Sequence, residues 1–191
     1  MRVGVLALQG DFREHARMLD AKGIQSSLVR LPGDLDRIDG LIVPGGESTT
    51  IGKLAERFGL VEPLRSAVAG GLPTFGTCAG MIFLAASTTE SRPQVQLGVL
   101  DVVVQRNAFG RQVESFEAEI PVQGIAGGPV HAVFIRAPWI EKVGDGVEIL
   151  AEVDGHPVMV RDDNVFATSF HPELTTDGRI HTLVFRSIGE A

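Results

Sequence analysis

Residues 3 to 8, VGVLAL, form an unbroken apolar run that stops at Gly10, and beyond it Phe12, Ala16 and Leu19 recur at helical spacing between Asp11 and Lys22. The pattern predicts a strand, a turn and a helix. Ser27 to Leu31 is a weaker strand candidate before the Pro-Gly-Asp turn at 32 to 34, and Gly40 to Val43 is a second strongly apolar run, ending at PGG. From Ser48, STTIGKLAERFG places Ile51, Leu54, Ala55 and Phe58 on one helical face, with Ser48 or Thr49 as the expected N-cap. EPLRSAVAGG reads as a helix ending at glycine. LPTF at 72 to 75 then leads into GTCAG, and MIFLAA at 81 to 86 has the character of a buried helix.

Three strand-to-helix alternations with short connections in the first ninety residues predict parallel strands covered by helices on both faces. The second half changes character. VLDVVVQRN, SFEAEI, AVFIR, VEILAEV, PVMVRD and VFATSF are short strand-like runs divided by Gly, Pro, Asn or Asp, which predicts antiparallel additions or a small side sheet. DGRIHTLVFRSIG at 177 to 189 is expected to return as a helix. The fold class is α/β: a three-layer sandwich around a mostly parallel sheet with antiparallel additions.

At 191 residues the chain can bury one sizeable core, so a single domain over 1–191 is expected. Seventeen Lys and Arg against twenty-four Asp and Glu leave a formal charge of −7, which favours solubility and offers little to a nucleic-acid backbone. None of the apolar runs approaches the roughly 20 residues that span a bilayer, and the start MRVGVLALQGD has no secretory pattern. With one cysteine and no possible internal disulfide, the expected location is the reducing cytoplasm.

That cysteine, Cys78, sits between Gly76 and Gly80 in GTCAG. A glycine two residues before and two after a nucleophile allow a sharp strand-to-helix corner, as in α/β-hydrolases. Such a corner exposes Sγ at the carboxyl edge of the sheet, near backbone N–H groups at a helix start that favour the thiolate. Taken alone, the corner fits a nucleophile or a small buried hydrophobe equally well.

A nucleophilic thiolate needs a base, and the base needs an orienting group. Of five histidines, His15 falls in the polar stretch of the first helix and is expected to be solvated, while His131, His156 and His181 have no neighbouring motif. His171 follows the apolar strand VFATSF in SFHPE, with Glu173 two residues on, where an extended segment would project both to one side. A strand-end turn with a solvated histidine is the alternative reading of HPE. Gly45 and Gly46 of PGGES could present backbone amides toward the Cys78 corner, with the Ala79 N–H as a second oxyanion donor; a flexible turn is the alternative there.

GGES lacks the GxxxxGK[ST] run of a phosphate loop, and no GxGxxG follows the first strand. No Cys or His pair has metal-ligand spacing, so neither a metal nor another cofactor is expected. From the residues alone the reading is a cysteine-dependent acyl-transfer hydrolase of unspecified substrate.

ALQGD at 7 to 11, PGGEST at 44 to 49, GTCAGM at 76 to 81, QRNAFGRQ at 105 to 112, FIRAP at 134 to 138 and SFHPEL at 169 to 174 together run almost the length of the chain. In these the chain resembles the class I glutamine amidotransferases, and within them the glutaminase subunits of pyridoxal 5'-phosphate synthases. The resemblance implies hydrolysis of L-glutamine, with Cys78 attacking the side-chain amide, His171 protonating the departing ammonia and Glu173 orienting the imidazole. It places glutamine binding on Gly46, Glu47, Ser48, Arg106, Ile135 and Arg136, and the oxyanion donors on the backbone amides of Gly46 and Ala79. Ammonia would pass to a barrel-shaped, ring-forming synthase subunit as partner, with Gln9 as a contact candidate. A peptidase on the same fold and a noncatalytic subunit are the competing readings.

Overall fold

The computed structural model describes residues 1–91, 94–106 and 115–186. Strand β1 (Arg2–Leu6) leads through Gly10 into helix α1 (Phe12–Ala21), followed by β2 (Gln25–Val29), β3 (Gly40–Val43), α2 (Ser48–Arg57), α3 (Val61–Ala69), β4 (Thr74–Thr77) and the short helix α4 (Ala79–Leu84). The second half supplies β5 (Ala85–Thr88), β6 (Leu100–Gln105), β7 (Ser115–Ile120), β8 (Val130–Ile135), β9 (Trp139–Val143), β10 (Glu148–Val153), β11 (His156–Asp162), β12 (Val165–Thr168) and α5 (Arg179–Phe185).

Among the described residues the main sheet has seven strands in the order β10-β11-β12-β4-β3-β1-β2. The five from β12 to β2 run parallel, and β11 and β10 extend the sheet antiparallel. Strands β3, β4 and β12 are buried along their whole length, as expected where helices cover both faces of a parallel sheet. Leu41 and Val43 point into one core with α2, α3 and α4, while Ile42 points into the other with α1, α5 and the β7–β8 pair. This alternation makes three layers.

The register sets the site. Val43 pairs with Gly76 and Thr77 with Thr168, so the loops leaving β3, β4 and β12 emerge side by side at the carboxyl edge of the sheet. The loop after β1, next in the sheet, emerges beside them. Open parallel sheets build their sites at this edge.

Several local expectations shift. MIFLAA divides: α4 stops at Leu84, and Ala85 begins β5 because it pairs with Leu100 of β6. A six-residue apolar run does not distinguish helix from strand. Strand β2 lies two residues earlier than the apolar pattern suggests, where Gln25 to Val29 pair with Arg2 to Leu6. Trp139–Val143 was not expected as a strand; its pairing with β6 makes it one. The tail of the last expected helix, residues 187 to 189, lies outside the described residues. Among those described, no helix is long and apolar enough to cross a membrane.

Candidate active site

Cys78 occupies the corner between β4 and α4 with φ 48° and ψ −104°, a left-handed conformation that costs a non-glycine residue energy. Its N–H donates to the Thr168 carbonyl at 2.8 Å, which ties the corner to the end of β12. The flanking glycines are required by packing. A Cβ on Gly76 would lie 2.6 Å from Leu84 Cδ1, and one on Gly80 would run into the Val43 carbonyl oxygen. Only 7% of Cys78 is exposed, and that part lines a cavity of about 420 Å³.

His171 lines the same cavity. Its N–H donates to the Val133 carbonyl on β8 at 2.9 Å, and Pro172 starts a single 3-10 turn, Pro172–Leu174, that carries Glu173 inward. The two side chains therefore meet through a turn rather than along the extended segment expected. Nδ1 of His171 lies 2.8 Å from Oε1 of Glu173, which is 5% exposed. With Nδ1 engaged by the carboxylate, Nε2 is the nitrogen left for chemistry in the cavity. Burial disfavours the charged imidazole, but the side-chain interactions with Cys78 and Glu173 outweigh it and raise the His171 pKa to about 10. Burial also raises the Glu173 pKa, against the pull of His171.

The loop after β3 is held from three sides. Gly45 N–H donates to Thr77 Oγ1 at 3.0 Å, Asp11 N–H donates to the Gly45 carbonyl at 3.1 Å, and Glu47 N–H donates to Gln9 Oε1 at 2.7 Å. Gly46 has φ +145°, and a Cβ there would collide with the Gln9 side chain. The N-cap of α2 is Glu47, rather than Ser48 or Thr49: its carboxylate accepts from Thr49 N–H at 3.1 Å and from Thr50 N–H at 2.7 Å. Ser48 is buried and its hydroxyl donates to Gln94 Oε1 at 3.2 Å.

Gln9, Gly46, Glu47, Ser48 and Ala79 line the cavity with Cys78 and His171. Arg106, Ile135 and Arg136 close its other side, Arg106 reaching Glu90 at 3.2 Å and Glu47 at 3.5 Å, and Arg136 held at φ +43°. The site residues expected from sequence are at this one cavity except Glu173, which stands behind His171, and Gly45, whose N–H goes to Thr77 Oγ1 instead of facing Cys78. Positions 107 to 112 of QRNAFGRQ lie outside the described residues.

A larger cavity of about 570 Å³ opens at the opposite, amino end of β4 and β12, beside Pro73, Asn164 and Arg186. Among the described residues it is lined by no cysteine or histidine, and the nucleophile chemistry belongs to the smaller one. Asp11, His171 and Glu173 bring three ligand-type atoms within 4.8 Å of one another, with Asp11 Oδ2 3.6 Å from His171 Nδ1. His171 Nδ1 faces Glu173 Oε1 at 2.8 Å, so it carries a proton toward the carboxylate and has no lone pair to offer a metal.

Sequence reasoning placed His15 in solvent, and the structure corrects this: the residue is 0% exposed. His15 lies three residues after Phe12 and four before Leu19, on the inward face of α1, so the helical period itself held the signal. His181, Thr77 and Asp11 were also missed; their partners come from distant elements.

A cysteine on a strained corner beside a histidine–carboxylate pair, at the carboxyl edge of a doubly covered parallel sheet, belongs to the glutamine amidotransferase fold. A solved glutamine amidotransferase superposes with a TM-score of 0.94 at 53% identity, covering 98% of both chains. PurLQS from Thermotoga maritima shares the fold alone, with a TM-score of 0.69 at 19% identity over 99% of this chain and 97% of that one. The chain belongs to the SNO glutamine amidotransferase family, whose model matches residues 5–190. It is 63% identical over 183 residues to the pyridoxal 5'-phosphate synthase subunit PdxT of Parafrankia sp. (strain EAN1pec), covering 95% of this chain and 90% of that one. The PdxT of Frankia casuarinae (strain DSM 45818 / CECT 9043 / HFP020203 / CcI3) is 60% identical over 98% of this chain and 94% of its own.

Proposed function

We propose that this chain, as a single glutaminase domain over 1–191, hydrolyses L-glutamine to L-glutamate and ammonia and supplies the ammonia for pyridoxal 5'-phosphate synthesis. The observation that carries this reading is the shared cavity of Cys78 and His171, with His171 backed at 2.8 Å by buried Glu173. The Cys78 thiolate attacks the amide carbon, and the charge developing on oxygen is met by the amides of Gly46 and Ala79. His171 gives its proton to the leaving nitrogen as the C–N bond breaks, leaving a γ-glutamyl thioester. It then takes a proton from water, whose hydroxide displaces Cys78 and releases glutamate. The sequence so written uses no metal or organic cofactor.

Gly46, Glu47, Ser48, Arg106, Ile135 and Arg136 form the glutamine site, where an arginine fork suits the substrate carboxylate. The partner is a barrel-shaped, ring-forming synthase subunit. Its existence is supported by the names of the PdxT relatives, and Gln9 is the contact candidate because it already holds the Glu47 amide. A cytoplasmic location accords with a lone, free Cys78 as nucleophile. The test is glutamine hydrolysis with and without the synthase subunit, followed by transfer of labelled amide nitrogen into product. Turnover that rises on complex formation and vanishes in Cys78→Ala is expected; absence of ammonia from the reconstituted complex overturns the reading, and peptide cleavage in its place points to a thiol peptidase.

A further inference from the structure

We propose that His15 is a positioning residue for this reaction, its imidazole joining the carboxylate that orients His171 to the loop that carries an oxyanion donor. The inference rests on the assignment of Cys78, His171 and Glu173 above. Nε2 of His15 lies 3.1 Å from Thr77 Oγ1 and 3.5 Å from Glu173 Oε1, and Nδ1 lies 3.0 Å from Nε2 of His181 on α5. Thr77 Oγ1 is also the acceptor for the Gly45 N–H, and Glu173 Oε1 is the atom that faces His171. One buried ring therefore touches both arms of the site. Phe75 fixes its plane, set edge-on to His15 and to His181 at 86° and 89°.

The hydrogen-bond inventory selects the tautomer. Burial, then the neighbouring His181 and His171, hold the His15 pKa well below its ordinary value, and burial, with Lys22 nearby, pushes His181 down to about 4. Both rings are neutral near pH 7, so each has one N–H to place. With that proton on Nε2, His15 donates toward Thr77 and Glu173 while Nδ1 accepts from His181 Nε2–H. The reverse tautomer aims a lone pair at the carboxylate and strands a buried N–H on His181 Nδ1, which has no partner among the described residues. The first arrangement is the stable one. It supports the Glu173 anion, whose other oxygen, Oε2, is buried with no hydrogen-bond partner among the described residues and which the nearby Asp11 charge disfavours.

The test compares His15→Gln with His15→Asn in the reconstituted complex. A glutamine amide nitrogen falls near the place of Nε2, and an asparagine nitrogen near that of Nδ1. Both are polar, and cooperative melting of each is verified first. His15→Asn is expected to lower kcat about tenfold to hundredfold, the rate equivalent of one hydrogen bond to a charged group, with KM near wild type. Its alkaline limb, set by loss of the His171 proton, should move to lower pH, and His15→Gln should recover much of the rate. Equal kcat in both variants, or a loss with an unmoved pH profile, overturns the role of His15. A wild-type complex that releases no ammonia overturns the triad itself and is told apart by that control.

Discussion

Nδ1 of His171 and Oε1 of Glu173 stand 2.8 Å apart, joined through a turn that Pro172 begins, and the carboxylate is sealed from solvent. A sealed carboxylate retains its charge only with a partner, and a sealed imidazole does the same. Each therefore stabilises the charged form of the other.

Replacing Glu173 with Gln keeps the shape and removes the charge. The His171 pKa should fall from about 10, and ammonia release from the complex should drop roughly 10²- to 10⁴-fold, the range for proton-transfer groups and the residues that orient them. The pH profile of kcat should lose activity at its alkaline side first. An unchanged rate and profile refute the orienting role.

The φ of 48° at Cys78 is a conformational cost that the site retains. Cys78→Gly removes that cost, while Cys78→Ala keeps it. The glycine variant should unfold at higher denaturant than the alanine variant, by about 1 kcal/mol, and neither should release ammonia. Equal stabilities would mean the corner is not strained.

Gly80 and Gly33 offer a paired comparison. A Cβ at Gly80 collides with the Val43 backbone, whereas at Gly33 nothing lies within 4 Å. Gly80→Ala should destabilise the fold by about 2 kcal/mol or more, because strand and corner must separate. Gly33→Ala should be close to neutral. Urea midpoints measure both.

His15 and His181 predict acid sensitivity. Their folded pKa values are depressed, His181 from 6.5 to about 4, so the fold favours their neutral forms. That contribution is complete above about 6.5 and is lost as pH falls toward 4. For His181 it amounts to roughly 3 kcal/mol. His171, supported by Cys78 and Glu173, works in the other sense, stabilising fully below 6.5 and losing this as pH rises toward 10. Melting temperature should therefore decline on both sides of neutrality, and His181→Leu should flatten the acid side.

The α/β class was legible because short unbroken apolar runs alternate with period-3.6 patterns through the first ninety residues. Local boundaries were less so. Ala85 turned from helix to strand through its pairing with Leu100, and Trp139–Val143 became a strand through β6. In both, a partner far along the chain outweighed local preference.

GTCAG, PGGES and HPE were readable as site segments because each is a short glycine- or proline-containing run following an apolar strand, and such runs carry their own backbone geometry. The Cys78 corner draws on residues 76 to 84 and the ends of the two adjoining strands, at Val43 and Thr168. His15 is a different case. Its partners Thr77 and His181 lie 62 and 166 residues away, and no local period names them. The sequence by itself determined which chemistry the chain can present. The strand order β12-β4-β3-β1 decided which groups meet, because it lays the ends of four distant segments side by side and turns α1 and α5 toward one another over Phe75. A hydrogen bond depends on position to within tenths of an ångström, and only the folded packing sets that.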